Sequence, residues 1–304
     1  MINLREMLEK LVGAVNVLVD EPMKNHTSFK IGGPADFVVM PQTKKSLCDT
    51  VKTLREQGIP MTVIGNGSNL LVSDKGIRGV VVKIAGGMGG VEVEKNTITA
   101  QSGVLLSRLA SVACSSGLTG LEFAAGIPGT IGGAIVMNAG AYDHEIKEAV
   151  ASTTYIDENG NLGTLKGIRE HKFAYRASIF QSENWIILES VFRLKTGNID
   201  EIRAEMDSIA RKRKRKQPLE FPSAGSAFKR PVGGFAAKLI DDAGLKGAKI
   251  GGAMVSDKHS GFIINIGGAT ASDVCELLKR IEDEVFSQFG IMLEPEVKMI
   301  GDWE

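Results

Sequence analysis

The sequence is poor in cysteine and carries no excess of either charge, and each shortage excludes something. Its three cysteines, Cys48, Cys114 and Cys275, are scattered without metal-ligand spacing or a redox pair. That argues against a disulfide framework or a metal centre and suits a reducing cytoplasm. Lys plus Arg and Asp plus Glu both number 36, so the formal net charge is zero. A general polyanion binder carries a basic excess, so nucleic acid is not an expected partner and any anion site must be a local patch. No apolar run is long enough to span a bilayer, and Met1 to Lys10 is amphipathic and charged, unlike a signal peptide. No membrane partner is expected. Two common fingerprints are also missing. The loop Gly65-Asn66-Gly67-Ser68-Asn69 has Leu70 where a dinucleotide fingerprint needs its third glycine. Ser226 follows Gly225 without the glycine spacing of a hydrolase elbow.

What is present is a globular composition. The chain has 304 residues, which suggests two or three domains, with 43% hydrophobic and 24% charged residues. Periodicity and end signals predict helices over 3–11, 43–57, 107–116, 199–216, 235–243 and 271–289. Strands are expected over 36–40, 61–64, 70–72, 80–84, 150–156, 185–194 and 261–266, with a hairpin over 91–101 and a closing extended run over 293–300. The helix over 199–216 has an acidic start and a Lys/Arg-only end, the order the helix dipole favours. Gly86 to Gly90 is a flexible break and a candidate boundary.

Glycine is abundant, at 36 residues, and clustered. The Gly65–Asn69 loop can turn several backbone N–H groups toward one phosphate. A plain tight turn is the alternative. The second cluster runs Gly126-Ile127-Pro128-Gly129-Thr130-Ile131-Gly132-Gly133-Ala134. Its mixture of glycines with Ile127, Ile131, Ala134 and Ile135 suits a flat apolar ligand against the backbone, or a close backbone crossing. Two such loops together suggest a long dinucleotide held by both. In Phe173 to Phe180 a single arginine, Arg176, stands among apolar residues and needs an anionic partner from the protein or from a substrate. Glu294 and Glu296 sit in the closing extended run, where a functional acid or a solvated strand edge fits. Arg211 to Lys216 fans charge around a helix, and a residue near its end can meet a diphosphate.

Read together, the strings Asn25 to Gly33, Gly65 to Asn69, Gly126 to Ala141, Tyr175-Arg176-x-Ser178-x-Phe180, Gly225-Ser226-x-Phe228-Lys229 and Leu293 to Gly301 resemble the UDP-N-acetylenolpyruvoylglucosamine reductases over essentially the whole chain. The resemblance implies an α+β fold: a two-part FAD-binding module of the vanillyl-alcohol-oxidase (PCMH) type plus a third, α/β substrate-binding domain. It implies boundaries at 1–85, 86–197 and 198–292, with 293–304 returning to the first part. It implies non-covalent FAD, NADPH as hydride donor, and reduction of the enolpyruvyl ether of UDP-N-acetylglucosamine to UDP-N-acetylmuramate by a cytoplasmic monomer. By resemblance, Ser226 is the proton donor, Arg176 counters the substrate carboxylate and Glu296 assists the same intermediate. Tyr175, Arg176, Lys216 and Lys229 match substrate-contacting positions. Gly65, Asn66, Gly67, Ser68, Asn69, Gly126, Ile127, Pro128, Gly129, Thr130, Gly132, Gly133 and Ala134 match the cofactor loops. Two departures stand out. Arg230 occupies a position where some members carry Asn, and the short segment from Phe180 to Trp185 resembles the subclass without an inserted tyrosine loop.

Overall fold

A computed structural model describes residues 3–304; Met1, part of the expected amphipathic segment, and Ile2 lie outside the described residues. The chain falls into two compact units, which the backbone enters more than once. The first gathers residues up to Leu18, Phe37–Asn66 and Gly79–Lys212. The second gathers Val19–Asp36, Gly67–Arg78 and Arg213–Glu304.

In the first unit the helices Leu4–Val12 and Lys44–Glu56 start where their caps dictate. Asn3 accepts from the Arg5 amide, and Thr43 and Ser46 form a reciprocal capping box. Their apolar faces, including Leu8, Val12, Leu47, Val51 and Leu54, bury with Val80 and Val82 in one cluster. Val80 and Val82 belong to a strand that pairs in parallel with Met61–Ile64. That strand delivers the chain into the Gly65–Asn69 loop.

The rest of this unit is built on a five-stranded antiparallel sheet. Its strand order is Leu162–Lys166, Val150–Ile156, Ile186–Arg193, Thr97–Gln101, Val91–Glu94. Leu106–Ser115 and Ile131–Met137 are the helices of its core, contributing Leu106, Leu109, Ala113, Ile131, Ala134 and Ile135. Sequence patterning misses the helix Ile131–Met137, because Gly132 and Gly133 in its first turn read as loop. The short strand Leu162–Lys166 and the helix Gly167–His171 are also beyond the pattern.

His171 is fully buried behind this sheet. Its Nδ1 lies 2.7 Å from the Gly167 carbonyl, so Nδ1 carries the hydrogen and Nε2 accepts from the Thr153 hydroxyl at 2.8 Å. Burial pushes its pKa below the ordinary value near 6.5. The unfolded chain therefore takes up a proton before the folded chain does, and stability falls as pH drops through about 6.5 toward the folded-state pKa. Urea midpoints measured from pH 7.5 down to about 5 are expected to fall less steeply in His171→Gln than in the wild type. Equal slopes would show that another group carries the dependence.

The second unit combines a four-stranded antiparallel sheet with the long helix Ala271–Phe289. The strand Ser223–Ser226 forms its edge beside Phe262–Asn265. Val274, Leu277, Leu278, Ile281 and Val285 of the helix pack with Val255 and Ile263 of the sheet. Asp74 accepts from the amides of Ala271 and Ser272 at 2.7 and 3.0 Å, satisfying donors at the start of that helix. The last strand, Lys298–Ile300, pairs in parallel with Leu70–Val72. The chain end thus returns to the segment that follows the first glycine loop.

Candidate functional site

In the first unit the two glycine clusters meet. The Asn66 amide donates to the Pro128 carbonyl at 2.7 Å. A Cβ on Gly65 would stand 2.4 Å from Thr130 Oγ1, so only glycine permits this approach. Thr130 itself is buried and caps the helix Ile131–Met137 through its hydroxyl. The backbone of 129–132 is anchored on its other side. Leu106 donates to the Gly129 carbonyl at 3.0 Å, and Gly132 donates to the Ser102 carbonyl at 2.9 Å. Among the described residues, the N–H groups of Gly65, Asn66, Gly129 and Thr130 donate to no protein acceptor. These half-paired loops are chemically suited to the phosphate oxygens of a dinucleotide, which accept from backbone amides. Of the apolar residues in the second cluster, Ile131, Ala134 and Ile135 face the protein core and need no ligand to explain them. Ile127 is partly buried against the same core, Gly126, Gly129 and Gly132 are partly buried, and Pro128 and Gly133 are exposed.

A Gly65→Ala variant is expected to lose the flavin that the sequence resemblance implies. The added methyl must displace a capped, buried threonine, and overpacking of this kind costs about 1–3 kcal/mol. Cofactor affinity should drop by about tenfold to hundredfold. The ratio of flavin to protein absorbance after gel filtration measures it. A full flavin complement would show that the loop contact is not needed for binding.

Tyr175 and Arg176 form the tip of a tight turn in the same unit. Ala174 and Ala177 exchange backbone hydrogen bonds at 3.0 and 3.2 Å, and Arg176 has φ +54°. A non-glycine residue in that region is strained and signals a position held by its surroundings. The holders are visible. Asn138, fully buried and left-handed at the end of the helix Ile131–Met137, donates from Nδ2 to the Ala174 carbonyl at 2.9 Å. Gln181 donates to the Arg176 carbonyl at 2.8 Å, and the buried Ser178 hydroxyl donates to the Val136 carbonyl. Phe173 stacks on His171 at 4.8 Å, and Phe180 packs edge-on to Tyr155. The Arg176 guanidinium lies over the Tyr175 ring at 4.9 Å and reaches the Gly140 carbonyl at 3.4 Å. It is half-buried, while Tyr175 is 47% exposed. Asn138 was not singled out from sequence as a holder of this turn. An asparagine directly after a helical run, suited to a left-handed cap, was the available signal.

In the second unit Ser226 is exposed at the end of its strand and follows Gly225, whose φ of +80° is the reason for glycine there. The segment 294–296 runs beside 227–229. The Glu296 amide donates to the Ala227 carbonyl at 2.8 Å, and the Lys229 amide donates to the Glu294 carbonyl at 2.8 Å. Ser226 and Glu296, far apart in sequence, are therefore placed on adjoining backbone. The first glycine loop reaches the same place. Asn69 donates from its side chain to the Glu296 carbonyl at 3.0 Å and accepts from the Lys298 amide at 2.9 Å. Among the described residues the N–H groups of Gly67, Ser68 and Asn69 donate to no protein acceptor. The Lys229 ammonium pairs with the Glu294 carboxylate. Lys216 is exposed at the end of the helix Ile199–Lys216, and the Arg230 guanidinium covers the Phe235 ring at 4.6 Å. Among the described residues no group of three or more His, Cys, Asp or Glu side chains is placed to hold a metal ion. Nor is any helix among them long and apolar enough to cross a membrane.

Comparison with known proteins agrees with these features. A family model described as an FAD binding domain matches residues 35–166, and one for the UDP-N-acetylenolpyruvoylglucosamine reductase C-terminal domain matches residues 217–300. A UDP-N-acetylenolpyruvoylglucosamine reductase of Caldanaerobacter subterraneus subsp. tengcongensis is 51% identical over 297 residues, which cover 98% of each chain. One of Clostridium botulinum is 50% identical over 294 residues, covering 97% of this chain and 95% of the relative. The crystal structure of the reductase (MurB) from Thermus caldophilus matches with a TM-score of 0.79 at 35% identity, covering 93% of this chain and 97% of that one. The mixed helices and sheets are thus an α+β FAD-binding fold, and the chain belongs to the UDP-N-acetylenolpyruvoylglucosamine reductase family.

Proposed function

We propose that Ser226, Arg176 and Glu296 carry the substrate-reducing step of this FAD-dependent reductase of peptidoglycan-precursor synthesis. The observation that carries the assignment is the pairing of 294–296 with 227–229, which gives the serine and a carboxylate one strand edge, with Asn69 of the glycine loop bonded to Glu296. The loops 65–69 and 126–134 would hold FAD without a covalent link, through their open amides. When bound, it would supply the hydride chemistry that connects NADPH with the enolpyruvyl double bond. Hydride reaching the terminal carbon leaves negative charge beside the substrate carboxylate. Arg176, whose guanidinium does not deprotonate, counters that charge, and Glu296 assists. Ser226 delivers the proton to the carbon bearing the carboxylate, completing UDP-N-acetylmuramate. Tyr175, Lys216 and Lys229 contact the nucleotide sugar, with Lys229 also engaged by Glu294. The enzyme acts as a cytoplasmic monomer. We assign 1–85 and 86–197 to the two parts of the flavin module and 198–292 to substrate binding. The pairing of Lys298–Ile300 with Leu70–Val72 supports the return of 293–304 to the first part.

The test is direct. The purified protein should be yellow, and denaturation should release all of its flavin. Beyond the one equivalent that reduces its flavin, it should turn over NADPH only when the enolpyruvyl nucleotide sugar is present. NADPH oxidation at an equal rate without that compound would assign the chain to a different flavin reaction.

A further inference from the structure

The strand that presents Ser226 is short, lies at the edge of its sheet and is irregular. Ser223 is the register partner of Ile264, and Ser226 of Phe262. Between these two pairs the strand Ser223–Ser226 has one residue more than its partner, which makes a β-bulge. Gly225, with φ +80°, supplies the positive φ that one common bulge type needs. A bulge re-aims the side chain beside it, here Ser226, and locally disrupts the ladder. The direction of Ser226 therefore depends on what holds the two ends of its strand.

The far end is held by backbone. The Ala227 amide donates to the Gly261 carbonyl at 2.8 Å, and the Ala227 carbonyl accepts from the Glu296 amide. The near end is held from outside the sheet. The Ser28 hydroxyl donates to the Ser223 carbonyl at 2.7 Å. The same residue holds the first glycine loop, through its amide, which donates to the Gly67 carbonyl at 3.2 Å. Gly67 lies so near this segment that a Cβ on it would stand 2.1 Å from the His26 carbonyl oxygen.

The segment around Ser28 is itself anchored. Phe29 is buried in the core of the unit, and its carbonyl accepts from Nδ2 of the buried Asn265 at 3.2 Å. The buried Thr27 hydroxyl donates to the Ile31 carbonyl at 2.9 Å, and His26 Nε2 lies 3.0 Å from a Glu21 carboxylate oxygen. The contacts close into a ring. It passes from Gly67 through Ser28 to Ser223, along the bulged strand to Ala227, across to Glu296 and back through the Asn69 side chain. Two of its bonds are made by side chains, those of Ser28 and Asn69, and the others by backbone. Asn69 already belongs to the flavin loop, whereas Ser28 has no part in the mechanism above.

We propose that Ser28 is a positioning residue for the proton transfer. Its hydroxyl, by holding Ser223, aims Ser226 across the bulge, and its amide ties that strand to Gly67 of the glycine loop. The inference rests on the reading above, in which Ser226 gives the proton and the glycine loops grip FAD.

Stopped-flow measurement on the flavin-loaded enzyme tests it. Ser28→Ala removes the hydroxyl and keeps the amide, so flavin content and bleaching by NADPH should hold. Recovery with the enolpyruvyl substrate should slow by about tenfold to hundredfold, the range for a small misplacement of a reacting group. Ser28→Thr, which restores the hydroxyl, should regain most of the rate. If Ser28→Ala does not fold, Ser28→Cys, with a much weaker donor in nearly the same volume, takes its place. The double variant carries the decisive comparison. A residue that acts only through Ser226 has nothing left to position in Ser226→Ala, so adding Ser28→Ala there should slow recovery no further. Wild-type recovery in Ser28→Ala, equal slowing of bleaching and recovery, no rescue by threonine, or full multiplication of the two effects in the double variant would overturn the proposal. Ser226→Ala alone separates the two levels. If it leaves recovery unchanged, the functional reading fails and Ser28 falls with it. If it slows recovery while Ser28→Ala does not, Ser28 alone falls.

Discussion

Replacing Ser226 by alanine is expected to slow oxidation of the reduced flavin by the enolpyruvyl substrate by about 10²–10⁴-fold, the usual contribution of a general acid. Reduction of the flavin by NADPH should stay near the wild-type rate, because that half needs no proton from this serine. The position favours a clean result. Ser226 is exposed at the end of a strand, so losing its hydroxyl opens no cavity. The backbone bend that presents it comes from Gly225, which the substitution leaves alone. Ser226→Cys should retain part of the activity, since a thiol also donates a proton. Stopped-flow traces resolve bleaching by NADPH from recovery with substrate. Equal slowing of both phases would mean that the serine supports the flavin or the fold, and its assignment as proton donor would fail.

Arg176→Gly should separate function from stability in the other direction. Removing one preorganised cationic donor from a developing negative charge typically lowers kcat by about 10²–10³-fold. The backbone, however, has reason to prefer glycine. Arg176 has φ +54°, and left-handed geometry costs an L-residue about 1–2 kcal/mol. Glycine removes that strain while adding some unfolded-chain entropy, so the melting temperature should hold or rise. Arg176→Lys keeps the charge and the strain but loses the planar fork, and should fall between glycine and wild type in kcat. Calorimetry beside steady-state kinetics gives the answer. A Gly variant that melts well below the wild type, with activity tracking its folded fraction, would make Arg176 a structural residue. A strained arginine retained at a turn tip is the trade between stability and activity expected at working sites.

Local structure was legible where a chain segment carries its own signals. The helices Ile199–Lys216 and Ala271–Phe289 and the strands Met61–Ile64, Leu70–Val72 and Val150–Ile156 have the bounds their periodicity predicts. Thr43 stops and starts the backbone as a cap should. The same reasoning misses Ile131–Met137, where paired glycines disguise a helix stabilised by burying Ile131, Ala134 and Ile135. It misses Ser223–Ser226 as a strand, because an edge of small residues has no alternation to read and gains its bonds from Phe262–Asn265.

The candidate site divides along the same line. Composition, glycine clusters and the matching motifs named the residue types: two amide-rich loops, an arginine among apolar neighbours, a serine after glycine and a late glutamate. Their arrangement was set by contacts between distant segments. Gly65 must be glycine because Thr130 stands against it, and Glu296 meets the serine's strand because its amide bonds to Ala227. The left-handed backbone of Arg176 is held by Asn138 and Gln181, which bond to the carbonyls of Ala174 and Arg176. Propensity, capping and periodicity act over a few residues and are written in the order of the chain. Backbone strain, close glycine approaches and hydrogen-bond partners across long sequence separations exist only once packing has closed those distances, so the tertiary structure alone decided them.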